Sequence, residues 1–321
     1  MADNEYVYAV ARIRTKELSL LSAQSVEQLM ACKTYGDCMR LLADKGWESA
    51  DGNAEKMLAA ENGKTWELIG GMVEDMSVFD VFLYSNDFHN LKAAVKQVCT
   101  QNNMPDIYIK HGTVDPELIL EAVKAHDFAR LPEQMRAAGQ EAFETLLHTH
   151  DGQLCDIIID KAALDAIYNA GMHSDNEVIK KYAELTVASA DIKIAARAAK
   201  TGKNIEFLNR ALAECGTLDI KRLARAAVSG ADSLLEYLAV TPYSGAAESI
   251  KKSLSAFERW CDNQIIDYIR PQKYNPFGIA PLAAYILARE NEIKTVRIIL
   301  SGKLNGFPDE FIRERLRDMY V

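Results

Sequence analysis

Asn90-Leu91-Lys92-Ala93-Ala94 reads as part of an amphipathic helix, and the chain writes it twice more, as Asp191-Ile192-Lys193-Ile194-Ala195 and Glu292-Ile293-Lys294-Thr295-Val296. Each copy runs polar residue, Leu or Ile, Lys, any residue, small aliphatic residue. The opening residues stand at 90, 191 and 292, a step of 101 taken twice within 321 residues. An equal step of that size is the mark of a module repeated in tandem. A second echo supports it. His111-Gly112-Thr113-Val114-Asp115 resembles Cys215-Gly216-Thr217-Leu218-Asp219, with Gly112 and Gly216 separated by 104 positions. The third copy offers only Gly306-Phe307-Pro308-Asp309. Modules of about a hundred residues fit the usual domain size, and their expected bounds are 1–112, 113–216 and 217–321.

Outward from these cores, apolar residues recur at helical spacing. Phe88, Leu91, Val95 and Val98 form a stripe, with Ser85, Asn86 and Asp87 placed to cap it. Leu185, Ile192, Ala195 and Ala199 form a second stripe, small enough for a neighbouring helix to approach closely. Ile286, Ile293, Val296 and Leu300 form a third, with Pro281 near its start and Gly302 expected just past its end. Further helices are expected at 15–30, 35–45, 55–84, 115–126, 132–148, 153–170, 176–186, 203–215, 219–238 and 246–269. Breaks fall at 101–106, 152, 202, 241–245 and 270–278, where Gly and Pro punctuate the pattern. Only Ile107-Tyr108-Ile109 alternates like a strand, and it is short. The fold class is therefore all-α.

Composition narrows the function. Apolar residues make up 49% and charged residues 26%, the balance of a soluble globular chain. The net charge of −9 argues against nucleic acid as a partner, because phosphate binding needs a basic footprint. The longest apolar run, 279–288, contains Pro281 and is about half the ~20 residues a spanning helix needs, so no direct membrane insertion is expected. Asp3 and Glu5 stand where a secretory signal would carry apolar residues, which points to a cytoplasmic chain. The six cysteines include no CxxC pair and read as reduced, helix-borne thiols.

Three motifs hint at chemistry. Gly63-Lys64-Thr65 is the ending of a phosphate-binding loop, but the glycine needed five residues before Gly63 is Leu58. Gly202-Lys203 and Gly302-Lys303 read as helix C-terminal glycines followed by a solvated lysine. His148-Thr149-His150-Asp151 is the one dense metal-ligand cluster. It reads as a helix C-terminus, with histidines at the negative dipole end and an Asp-Gly turn after them. No catalytic residue, metal ligand or cofactor site is expected. A metalloenzyme built on 148–151 is the rival that metal analysis of the purified chain would remove.

The stretch from Phe277-Gly278-Ile279-Ala280-Pro281-Leu282 through Arg289-Glu290-Asn291-Glu292-Ile293-Lys294 to Ser301-Gly302-Lys303 resembles the C subunit of the V-type rotary ATPases, known as the d subunit in the eukaryotic vacuolar enzyme. Tyr6-Val7-Tyr8-Ala9-Val10-Ala11-Arg12-Ile13-Arg14 and Asp87-Phe88-His89-Asn90-Leu91-Lys92 resemble it as well. The resemblance implies a non-catalytic subunit of three similar helical modules arranged as a pseudo-threefold funnel. It implies a seat on the cytoplasmic face of the membrane rotor ring, with the foot of the central stalk, made of the D and F subunits, received in the socket. Torque would then pass between stalk and ring during H⁺ or Na⁺ transport. Lys92, Lys193 and Lys294 hold equivalent positions, so they are either a ring of charge facing a partner or ordinary solvated lysines in weak ion pairs. Arg12 and Arg14 carry the same two readings. The alternative function is a helical-repeat scaffold that binds soluble protein partners on a concave face.

Overall fold

A computed structural model describes residues 6–47, 52–102 and 106–321. The described residues form helices and connecting turns, with no strand among them. In chain order the helices are α1 Val7–Glu17, α2 Ala23–Ala31, α3 Tyr35–Asp44, α4 Ala54–Gly70, α5 Tyr84–Thr100, α6 Pro116–Lys124, α7 Glu133–Thr149 and α8 Gly152–His173. They continue as α9 Glu177–Thr201, α10 Ile205–Ala211, α11 Ile220–Ser229, α12 Ala231–Ala239, α13 Ser244–Lys252, α14 Leu254–Ile269, α15 Ala280–Leu304 and α16 Asp309–Arg313. Short 3₁₀ segments occupy Met76–Phe82, Phe128–Arg130 and Arg270–Tyr274. The expected all-α class is what the structure shows.

Local chemistry sets many of the boundaries. Thr34 and Asp37 close a capping box at the start of α3, each satisfying a backbone N–H of the other. Asp115 caps α6 ahead of Pro116, and Asp219 caps α11. Asn53, Asp151, Asn204 and Ser253 cap α4, α8, α10 and α14 in the same way.

The chain divides into two compact units. One comprises Met1–Met76, Asn176–Val178 and Glu248–Val321; the other comprises Ser77–Asp175 and Ile179–Ala247. In the first, α15 is the central element. Every residue from Pro281 to Ala288 is buried, so this stretch has no solvent face. Helices α1, α3, α4, α14 and α16 pack around it, and Leu29, Met30, Leu42, Met57, Leu58, Val296 and Ile299 build the adjoining core. Each such side chain contributes about 1.5–3 kcal/mol by leaving water. In the second unit α5, α6, α7 and α8 pack on one another around Phe88, Leu91, Val95, Ile119, Val123, Met135 and Ile159. Helices α8 and α9 approach closely there: a Cβ built on Gly171 of α8 would lie 2.1 Å from the Cβ of Ala183.

Several expected helices are shorter than the periodicity implied. The helix expected over 219–238 is broken at Gly230, whose φ of 117° is a conformation that other residues seldom adopt. The stretch 15–30 is two helices, and 55–84 is α4, a 3₁₀ segment and the start of α5. The stretch 246–269 divides at Ser253, the cap of α14. Pro281 does start α15, but Gly302 lies inside it against Ile312, and the turn that follows uses Gly306 at φ 66°. Ser85, Asn86 and Asp87 do not cap α5; they lie inside it, no side chain caps its start, and Asp87 is buried. Asp3 and Glu5, and part of the expected break at 101–106, lie outside the described residues.

Candidate partner-contact residues and the buried polar handles beside them

The residue that opens each repeated pentapeptide is buried and holds a backbone N–H. Asn90 is 0% exposed; its Oδ1 accepts the Ile109 N–H at 2.8 Å and its Nδ2 donates to the Ile109 carbonyl at 2.8 Å. Ile107-Tyr108-Ile109, the one strand-like stretch, thus pairs with a side-chain amide instead of a neighbouring strand. One turn earlier, buried Asp87 accepts the Thr113 N–H at 2.9 Å, the Thr113 hydroxyl at 2.6 Å and the Val114 N–H at 3.3 Å. Burial pushes the Asp87 carboxyl above the usual range, and those hydrogen bonds oppose the rise.

Helix α9 repeats the arrangement. Asp191, also 0% exposed, accepts the Ala213 N–H on Oδ1 at 3.0 Å. Glu184 accepts the Gly216 N–H at 3.1 Å, the Thr217 N–H at 2.9 Å and the Thr217 hydroxyl. Ile109 precedes Gly112 by three positions, as Ala213 precedes Gly216. The sequence echo is therefore a hydrogen-bond register: a helix carboxylate grips the threonine, with Val114 in the first copy and Gly216 in the second, and the following Asp caps the next helix. Gly112 is required there, because a Cβ would fall 2.2 Å from Asp87 Oδ1.

The third opening residue, Glu292, is 1% exposed and accepts the Leu21 N–H in the turn between α1 and α2. Its second oxygen pairs with Arg289. Arg289 also donates to Glu61 at 2.6 Å and to Thr65 Oγ1 at 3.2 Å, with its guanidinium 5.3 Å from the centre of the Trp47 ring. Burial pushes the Glu292 carboxyl up, opposed first by Arg289. Burial alone would lower Arg289, but Glu292, Tyr285 and Glu61 outweigh it and hold the guanidinium above its ordinary value. The repeat marks these opening residues without giving them a role; their signal is a polar residue set into an otherwise apolar helical face.

The lysines at the third position are less buried. Lys92 pairs with Asp160 of α8, and Lys96 with Asp156 at 2.6 Å. Lys294 pairs with Asp262 of α14 at 2.6 Å, and Asp262 also accepts Arg317 Nε at 2.8 Å. Lys193 is half-buried on α9. Arg12 is exposed on α1. Arg14 is a clamp: it donates to Glu17 at 2.6 Å and to the Gln272 and Asn275 carbonyls at 2.6 Å each. The turn it holds carries Tyr274 at 85% exposure and Phe277 at 51%, apolar surface that helical periodicity does not reveal.

The motifs that hinted at chemistry have structural uses. Gly63-Lys64-Thr65 lies inside α4, where Lys64 pairs with Glu61 at 2.7 Å and the Thr65 hydroxyl donates to the Glu61 carbonyl at 3.1 Å. His148 sits in the last turn of α7, His150 ends it at φ 55°, and Asp151 accepts the Leu154 N–H to start α8. Gly202 ends α9 at φ 66°. Among the described residues no cluster of three His, Cys, Asp or Glu is arranged to hold a metal, and no helix is long and apolar enough to cross a membrane.

The buried polar residues Asn90, Asp191 and Glu292 hold turns to long helices and define an all-helical protein. The chain belongs to the family described as the ATP synthase (C/AC39) subunit, which it matches over residues 9–315, and is thereby a non-catalytic subunit of the rotary ATPases. Its relatives include the C subunit of the V-type sodium ATPase of Enterococcus hirae, 22% identical over 96% of this chain and 97% of that protein. They include the C subunit of the A-type ATP synthase of a Desulfurococcus species, 25% identical over 96% and 90%. The C subunit of the V-type ATP synthase of Thermus thermophilus is 23% identical over 98% and 99%.

Proposed function

We propose that the chain is the rotor adaptor of a V-type ATPase or ATP synthase. In this reading it joins the central stalk, made of the D and F subunits, to the membrane ring and transmits torque for H⁺ or Na⁺ transport from the cytoplasmic face. The single observation that carries it is the family match across residues 9–315, with relatives covered almost end to end. The physical problem is a mismatch of diameter between a slender stalk and a wide ring. Three modules, 1–112, 113–216 and 217–321, set about a pseudo-threefold axis as a funnel, would bridge it. The shared handle register of Asn90 and Asp191 supports the repeat on which the funnel rests. Tightly packed helices suit torque transmission because such cores deform little under load.

Lys92, Lys193, Lys294 and Arg12 are the charged contacts we assign to partners, with Arg14 acting through the Tyr274–Phe277 turn that it holds. Because Lys92 and Lys294 already have carboxylate partners, their contacts should be polar and salt-sensitive. The test is copurification: the tagged chain should bring down the D and F subunits together with the ring. Glu at all three lysine positions should weaken stalk capture and steepen its dependence on salt. Capture of neither stalk nor ring by the unaltered chain would reject the adaptor reading. Unchanged capture by the triple variant would reject the ring of charge alone.

A further inference from the structure

Asn90, Glu292 and Asp191 solve one problem in different ways. Each is buried and each accepts a backbone N–H. Asn90 is neutral and uses both ends of its amide on Ile109. Glu292 is charged and has Arg289 on its other oxygen. Asp191 has neither solution. Its Oδ2 is buried and has no hydrogen-bond donor. The charged groups acting on it are Lys161 and Asp165 on α8 and Glu214 in the turn, and Cys215 in the same turn lies within reach of both Asp191 and Glu184. The cation among these groups, Lys161, is already paired with Asp165 at 2.9 Å. A buried carboxylate in that company lacks a counter-ion, and a buried charge without one is strongly disfavoured.

We propose that Asp191 carries a proton at neutral pH and acts as a neutral carboxylic acid, the counterpart of Asn90, so that the hold of α9 on the 212–219 turn weakens when the proton leaves. The proton sits on Oδ2, in the role of the Asn90 amide nitrogen. Burial, in the same direction, pushes the Asp191 carboxyl up to about 8, with like charges on Asp165 and Glu214 adding to the rise and the Ala213 N–H and Lys161 opposing it. The folded chain then holds a proton that the unfolded chain has released, over the interval from the ordinary value of about 3.9 to about 8. Stability from this group is fully present below that interval, falls as pH rises through it, and is level above it.

Carboxyl carbon resonances of the full-length chain, labelled at aspartate, read the proton directly, with Asp191→Asn identifying the signal. We expect a midpoint above 7, or a carboxyl still protonated at pH 9.5. A midpoint at or below 7, or a carboxylate ionised throughout, overturns the proposal. Asp191→Asn should fold, and its folding constant relative to the unaltered chain should rise roughly tenfold per pH unit across the interval and then level off. Failure of the variant to fold, or a ratio that does not change with pH, overturns it equally.

Discussion

The turn after α5 and the turn after α1 are held in opposite ways. In the first, Asn90 meets both polar groups of Ile109 with a neutral amide. In the second, Glu292 meets the Leu21 N–H with a carboxylate that needs Arg289, Glu61 and Thr65 behind it. The neutral handle leaves nothing unbalanced, because its donor and acceptor are both used. The charged handle is stable only as a network, since each buried ion depends on the others. The charged version therefore breaks harder, and it ties the turn between α1 and α2 to α4 and α15 in a way an amide cannot.

Arg289→Ala separates the two most strongly. It leaves the Glu292 carboxylate buried without its counter-ion and leaves Glu61 with Lys64 alone, and we expect a loss of about 3–5 kcal/mol in chemical denaturation. Burial already raises the Glu292 carboxyl, and without the guanidinium that opposes the rise it should hold its proton to still higher pH in the folded state. The variant should therefore lose more stability as pH rises from 5 to 8. A loss of similar size at every pH would mean that Glu292 stays ionised.

Asn90→Ala comes next. It strands the Ile109 N–H and carbonyl, and a loss of about 2 kcal/mol is expected. If it proves as damaging as Arg289→Ala, the distinction between neutral and charged handles fails. Lys92→Ala and Lys294→Ala should be the mildest, under about 1 kcal/mol each, because both ion pairs are reached by solvent. Larger losses would make these lysines structural and weaken their assignment as partner contacts.

Much of this was legible in the chain itself. The step of 101 located residues that prove to share a role, and the Gly-Thr-x-Asp echo located the turns that two of them, Asn90 and Asp191, grip. The helices expected from 115 and 219 do begin at the aspartates of that echo, Asp115 and Asp219, because capping depends only on the next three residues. The use of Asp87 and Glu184 was not legible, because each reaches a turn more than twenty-five residues away in sequence. The division of 15–30 into α1 and α2 was hidden for a related reason: the Leu21 N–H, left over where the helix breaks, is matched by Glu292 near the other end of the chain. Gly230 was visible as a residue but not as a φ of 117°. Exposure of Tyr274 and Phe277 follows from the Arg14 clamp, which joins positions more than 250 apart.

An electron cryomicroscopy map of the assembled ATPase tests the adaptor role most directly. The chain should lie between the foot of the D–F stalk and the membrane ring, with the segments bearing Lys92, Lys193 and Lys294 related by turns of about a third of a circle. Density for the chain on a stationary peripheral stalk, or segments that no such rotation superposes, would contradict it.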